Sequence, residues 1–337
     1  MTTPTGPPYT SGRRLAAATA QRTATGLPAG TGRASVLTVA GLLALAPLAR
    51  HTGVGSSPAY LLAGLLAGLP HGAVDHLVPG WCSARARSPR ARLAVPLGYA
   101  AVAAVVLVAF QAAPTPALLA FLVLSVIHFG AADEAFHAER DGRPVRHRPA
   151  GVLARGGPPV VVPLLVWPET VDPLLAAVAP GAPAVLGPGL RLLALGCLVV
   201  AVTVTVVRDL RGGRHLDAAE PVLLVALFAA VPPALAVGAY FAAWHSARHV
   251  SRLLRAHPAN RSDLADGRWG APLGRFARAA ALPTLVAAAV PVALAVWPGR
   301  PFDPLSVTVA ALAALTVPHS AVVAWLDRQG RPAGSPA

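Results

Sequence analysis

Residues 115–137 read TPALLAFLVLSVIHFGAADEAFH. The run is apolar for long enough to reach through a bilayer core, which takes about 20 residues of helix. A histidine, His128, stands inside it. The rest of the chain repeats this pattern. Apolar segments fall near residues 35–49, 58–80, 93–111, 149–167, 188–207, 219–233, 234–254, 279–297 and 304–326. Hydrophobic residues make up 55% of the chain and charged residues 12%, where soluble domains carry about 25% charged. The pattern predicts an all-α, polytopic membrane bundle of about ten helices, eight to ten, over residues 35–327, with disordered cytoplasmic tails at 1–34 and 328–337.

The charges set the orientation. All 28 basic residues are arginine, and the net charge is +14. Arg85, Arg87, Arg90 and Arg92 share one connection, and Arg140, Arg143, Arg146 and Arg148 another. Arg208, Arg211 and Arg214 share a third, and Arg252, Arg255, Arg261, Arg268, Arg275 and Arg278 follow later. The connections at 112–114 and 168–187 and the Pro232–Pro233 turn hold none. Rich and poor connections alternate, as the positive-inside rule requires if both termini are cytoplasmic. The plasma membrane is the expected location. Arginines confined to short loops speak against a nucleic-acid partner. The absence of lysine excludes a retinal or pyridoxal Schiff base on this chain and a phosphate-loop lysine. Cys82 and Cys197 stand in no motif, so neither a disulfide frame nor a zinc site follows.

Five histidines lie within apolar segments: His71, His128, His245, His249 and His319. An ionisable group at membrane depth is a functional candidate by default. His71, His128, His245 and His319 come 13, 14, 12 and 15 residues after Pro58, Pro114, Pro233 and Pro304. At about 1.5 Å of rise per residue they share one depth, about 18–22 Å below the outer surface. His249 lies one turn further along the face of His245. One bland reading is that intramembrane histidines only hydrogen-bond between helices, but matched depth on four helices weakens it. Neutral imidazoles in a bundle core suit iron, zinc or copper. Asp75, four residues after His71, is expected to accept a hydrogen bond from a ligand imidazole. Asp133 and Glu134 are expected to serve a histidine of another helix. Phe129, Phe136, Tyr240 and Trp244 are expected to wall an apolar tunnel; aromatics in helices more often simply pack.

Four stretches carry a family resemblance: GLPHGAVDH at 68–76, IHFGAADE at 127–134, YFAAWHSARH at 240–249 and VPHSAVVAW at 317–325. In them the chain resembles the Brp/Blh-like β-carotene oxygenases of bacteria and archaea. The resemblance implies cleavage of the central double bond of β-carotene by O2, giving two molecules of retinal, at an Fe(II) centre. It implies His71, His128, His245 and His249 as ligands, with His319 a further ligand or a neighbour of one. The product suggests a link to a retinal-binding rhodopsin. The competing reading is a membrane protein of haem b type, or another histidine-ligated electron carrier. A di-iron desaturase fits less well, because only His245 and His249 have the spacing of its histidine boxes.

Overall fold

The computed structural model describes residues 29–83, 86, 88–295 and 304–329. Among them every regular element is helical. The helices are α1 (Ala29–Thr52), α2 (Pro58–Gly68), α3 (Val78–Cys82), α4 (Pro89–Ala112) and α5 (Pro114–Arg140). The chain continues through α6 (Pro149–Gly156), α7 (Pro158–Val166), α8 (Pro168–Val178), α9 (Ala182–Val185), α10 (Pro188–Arg211) and α11 (His215–Ala230). It then forms α12 (Pro233–Ala239), α13 (Ala247–Ala256), α14 (Arg261–Ala265), α15 (Gly270–Ala295) and α16 (Pro304–Gln329).

Proline sets many of the starts, where its missing N–H leaves no helical bond unmade and its fixed φ suits the first turn. Ser57 and Ser88 cap α2 and α4 by accepting from the amides of Ala59 and Ala91. Gly53 and Gly142, with φ of 67° and 62°, let the chain turn away from α1 and α5.

The protein is a helical membrane bundle. Among the described residues, five helices are long and apolar enough to cross a membrane: Gly30–Thr52, α4, α5, α10 and Ser306–Gln329 within α16. The pair α6 and α7, bent by 51°, makes a sixth if counted as one span. The expected count of about ten is therefore not confirmed, and the departures have local causes. The expected span at 58–80 stops at Gly68, because Pro70 cannot continue the helix; a tight turn at Leu69–His71 follows. The expected span at 149–167 bends where Pro158 and Pro159 follow Gly157. The segment at 219–233 is a 16-residue helix, and the one at 234–254 carries the buried Arg248 and Arg252. The first helix begins at Ala29, six residues before the expected boundary, and α16 runs two residues past 327. The remainders of both expected tails lie outside the described residues.

Apolar side chains cover the outside of the long helices. Leu37, Leu97, Val105, Leu193 and Leu282 are all more than half exposed, which suits contact with lipid. Inside, α5 lies against α6, α4 against α16, and α2 against α12. Between α5 and α6 the backbones touch: a Cβ at Gly130 would strike the Val152 carbonyl, and one at Gly156 the Val126 carbonyl. Outside the membrane helices, hydrogen bonds from Arg275 and Arg268 hold the Asp263 carboxyl below the usual carboxylate range.

Candidate metal centre

Five elements deliver the histidines. The turn after α2 carries His71, α5 carries His128, and α16 carries His319. His245 sits in a π-helical turn, Tyr240–Ser246, which continues α12 directly into α13, and His249 follows in α13. Single π turns inside α-helices recur at functional sites, because the extra residue re-aims side chains.

All five imidazoles are at most 6% exposed, and Asp75 is 2% exposed. The rings meet edge to face. Centroids lie 5.1 Å apart for His71 and His245, 4.8 Å for His71 and His319, 4.9 Å for His128 and His245, and 4.9 Å for His128 and His319. His249 lies 5.2 Å from His319 and 5.7 Å from His71.

Ligand atoms of His71, His128, His245 and His319 lie within 4.8 Å of one another, and those of Asp75, His249 and His319 form an overlapping group at the same limit. The tightest four thus contain His319, with His249 beside them. Nε2 of His128 and Nε2 of His245 are 3.2 Å apart. Two imidazoles sharing a metal at about 2.1 Å each, at angles of about 90–110°, hold their nitrogens about 3.0–3.4 Å apart.

Two of the outer nitrogens are held, those of His71 and His319. His71 donates from Nδ1 to the Gly68 carbonyl at 2.6 Å, and Ser246 Oγ lies 3.3 Å from the same nitrogen. His319 donates from Nδ1 to Asp75 Oδ2 at 2.7 Å. These bonds set the tautomer and leave Nε2 as a lone-pair donor. Nε2 of His319 and both ring nitrogens of His249 are buried without a hydrogen-bond partner. A buried polar atom left unpaired costs about 1–3 kcal/mol, so three such atoms in one cluster fit a bound cation. The donor set suits a metal such as iron, zinc or copper.

Asp75 therefore has the expected kind of partner but a different one, His319 rather than His71. The spacing of four aligns residues only in an α-helix, and residues 69–77 are tight turns. Asp133 and Glu134 serve no histidine of the cluster: Asp133 accepts from Trp244 Nε1 at 2.8 Å and from Arg248 at 3.2 Å, and Glu134 accepts from Arg155 at 2.8 Å. Trp244 is thereby turned into an ionic layer, with the Arg248 guanidinium 3.7 Å above its ring, and Phe136 lies under the same guanidinium at 4.8 Å. Phe129 and Tyr240 do flank the site. Phe129 is 4.8 Å from His245 and 5.4 Å from Tyr240, and Tyr240 stacks on His245 at 6.5 Å.

Phe241 was not expected. It meets His71 edge-on at 5.3 Å and stacks on His245 at 5.9 Å. Its place four residues before His245 was the available signal. Gly68 makes room for it, since a Cβ there would strike the Phe241 ring and Ser246 Oγ.

The family described as Beta-carotene 15,15'-dioxygenase matches residues 62–327, a stretch containing all five histidines. This chain belongs to that family. Among relatives of this dioxygenase family, a protein of Halobacterium salinarum named "Probable beta-carotene 15,15'-dioxygenase Blh" is 36% identical over 322 residues, covering 85% of this chain and 90% of its own length. A second protein of that organism, "Probable beta-carotene 15,15'-dioxygenase Brp", is 33% identical over 67% of each chain. A "Beta-carotene 15,15'-dioxygenase" of an uncultured marine bacterium, 66A03, is 29% identical over 55% of this chain and 64% of its own. No solved structure matches.

Proposed function

We propose that the protein cleaves the central double bond of β-carotene with O2, giving two molecules of retinal, at an Fe(II) held by His71, His128, His245, His249 and His319. The observation that carries this is the convergence of five buried imidazoles, with nitrogens of His249 and His319 left unpaired, in a chain whose relatives are named for that reaction. Ferrous iron bound there would supply O2 activation. The protein's part is to hold and to exclude. Asp75 orients His319, and the Gly68 carbonyl orients His71. Phe129, Tyr240 and Phe241 keep water from the rings and offer an apolar wall to a polyene arriving from the bilayer. The product is a ligand for retinal-binding proteins such as rhodopsins.

The arginine alternation supports a plasma-membrane protein with both termini cytoplasmic. The haem alternative loses ground to the packing: rings set edge to face with centroids 4.8–5.1 Å apart leave no slot for a planar macrocycle.

Expression in carotene-producing cells, followed by pigment extraction, tests the reading. Loss of the yellow pigment with appearance of retinal is expected, as is iron without a Soret band in the purified protein. Undiminished carotene alongside correctly inserted protein overturns it.

A further inference from the structure

A partly open cavity, lined in part by His137, lies away from the five clustered histidines. Its volume is about 210 Å³, between the end of α5, the connection at 141–148, α6, the end of α10 and the start of α11. At about 30 Å³ per water, it has room for about seven waters. Six guanidinium groups face it, from Arg143, Arg146, Arg148, Arg155, Arg208 and Arg214, against the carboxylates of Glu134, Asp209 and Asp217.

The pairing inside is unequal. Arg155, 1% exposed, donates to Glu134 at 2.8 Å and to Asp209 at 2.7 Å, while its Nε has no partner. Arg208 and Arg214 donate to the other Asp209 oxygen at 3.0 and 2.6 Å. Asp217 takes Arg140, from outside the cavity, at 2.9 Å. Arg155, Arg208 and Arg214 from the wall, with Arg140 from outside it, therefore engage all three of the cavity's carboxylates. At the mouth, Arg143 pairs only with Asp141, which is not part of the wall, and the exposed Arg146 and Arg148 have no carboxylate partner among the described residues. Arginine-rich loops follow from orientation alone. A walled space with a buried arginine in its lining and unpaired arginines at its mouth does not.

We propose that this cavity is a binding site for a phosphate group, with Arg146 and Arg148 as its outer clamp and the partly unpartnered Arg155 in its wall. Guanidinium forks match phosphate oxygens in pairs. Basic pockets between membrane helices on the arginine-rich side take anionic lipid headgroups, so the phosphate comes either from an acidic phospholipid or from the free anion.

The full-length protein is compared in nanodiscs of phosphatidylcholine alone and of phosphatidylcholine with phosphatidylglycerol, by thermal unfolding and by native mass spectrometry of retained lipid. The phosphatidylcholine discs are also titrated with inorganic phosphate, with sodium chloride at matched ionic strength as control. Stabilisation and retention with phosphatidylglycerol alone assign the headgroup; the same shift with inorganic phosphate, beyond the chloride control, assigns the free anion. Arg146→Gln/Arg148→Gln should bind about 30-fold more weakly, each interfacial arginine contributing about fivefold. Arg90→Gln/Arg92→Gln, which removes the same charge from the first turn of α4, should bind as the parent does. The proposal is overturned if all additions act alike on the parent, or if both double variants weaken binding equally.

Discussion

On α5, His128 stands five residues before Asp133; on the helix that continues through the π turn, His245 stands three residues before Arg248. The same two helices thus carry two buried polar layers side by side. In the ionic layer the charges meet. Arg248 donates to Glu220 at 2.8 and 2.9 Å and to Asp133 at 3.2 Å, Trp244 donates to Asp133, and His137 donates to Glu220 at 2.8 Å. Arg252, one turn on, ties Glu139 of α5 to Asp327 of α16. In the histidine layer, Nδ1 of His71 and Nδ1 of His319 are anchored, while Nε2 of His319 and both nitrogens of His249 are not. The ionic layer pairs every carboxylate it holds and leaves only two donors, Arg248 Nε and Arg252 Nη1, without a partner, which suits holding helices in register; the histidine layer leaves lone pairs in one cluster and is organised around something it binds.

Four substitutions break or sharpen that contrast. The largest effect on binding is expected from His245→Ala, which removes a member of the tightest four: metal content of the purified protein should fall to background and retinal formation should cease, with the helical circular dichroism unchanged. If the variant unfolds instead, the histidine layer is structural too.

Arg248→Met should act in the opposite sense. It leaves Glu220 and Asp133 as uncompensated buried charges, so unfolding in detergent should show a loss of about 3–5 kcal/mol. Wild-type stability together with lost metal would show that the two layers are one functional unit.

Asp75→Asn keeps the shape but weakens the anchor on His319. Metal affinity or activity should fall about 10–100-fold, with metal still bound at saturating concentration. Complete loss, equal to that of His245→Ala, would make Asp75 a ligand itself.

The smallest effect is expected for Phe241→Leu, which removes the ring contacts to His71 and His245. Stability should fall by about 1 kcal/mol, read from the unfolding midpoint, with metal content retained. Loss of metal here would mean that the aromatic wall, and not only the hydrogen bonds, aims the imidazoles.

Much of this was legible in the sequence because it depends on local properties. Hydropathy and the scarcity of charge determine a helical membrane bundle, since a bilayer tolerates little else. Counting residues from Pro58, Pro114, Pro233 and Pro304 singles out four histidines at similar spacings from a helix start, and these are the four whose ligand atoms come together. Depth does not fix azimuth. Which imidazoles face one another depends on how each helix is rotated and packed, and the turn at Leu69–His71 and the π turn at Tyr240–Ser246 break the regular period on which such inference rests. Hence only the tertiary structure decided that His319 joins the tightest four, that Asp75 holds His319 rather than His71, and that Trp244 belongs to Asp133 and Arg248. Those pairings join residues up to 244 positions apart, and no local periodicity carries information over that separation.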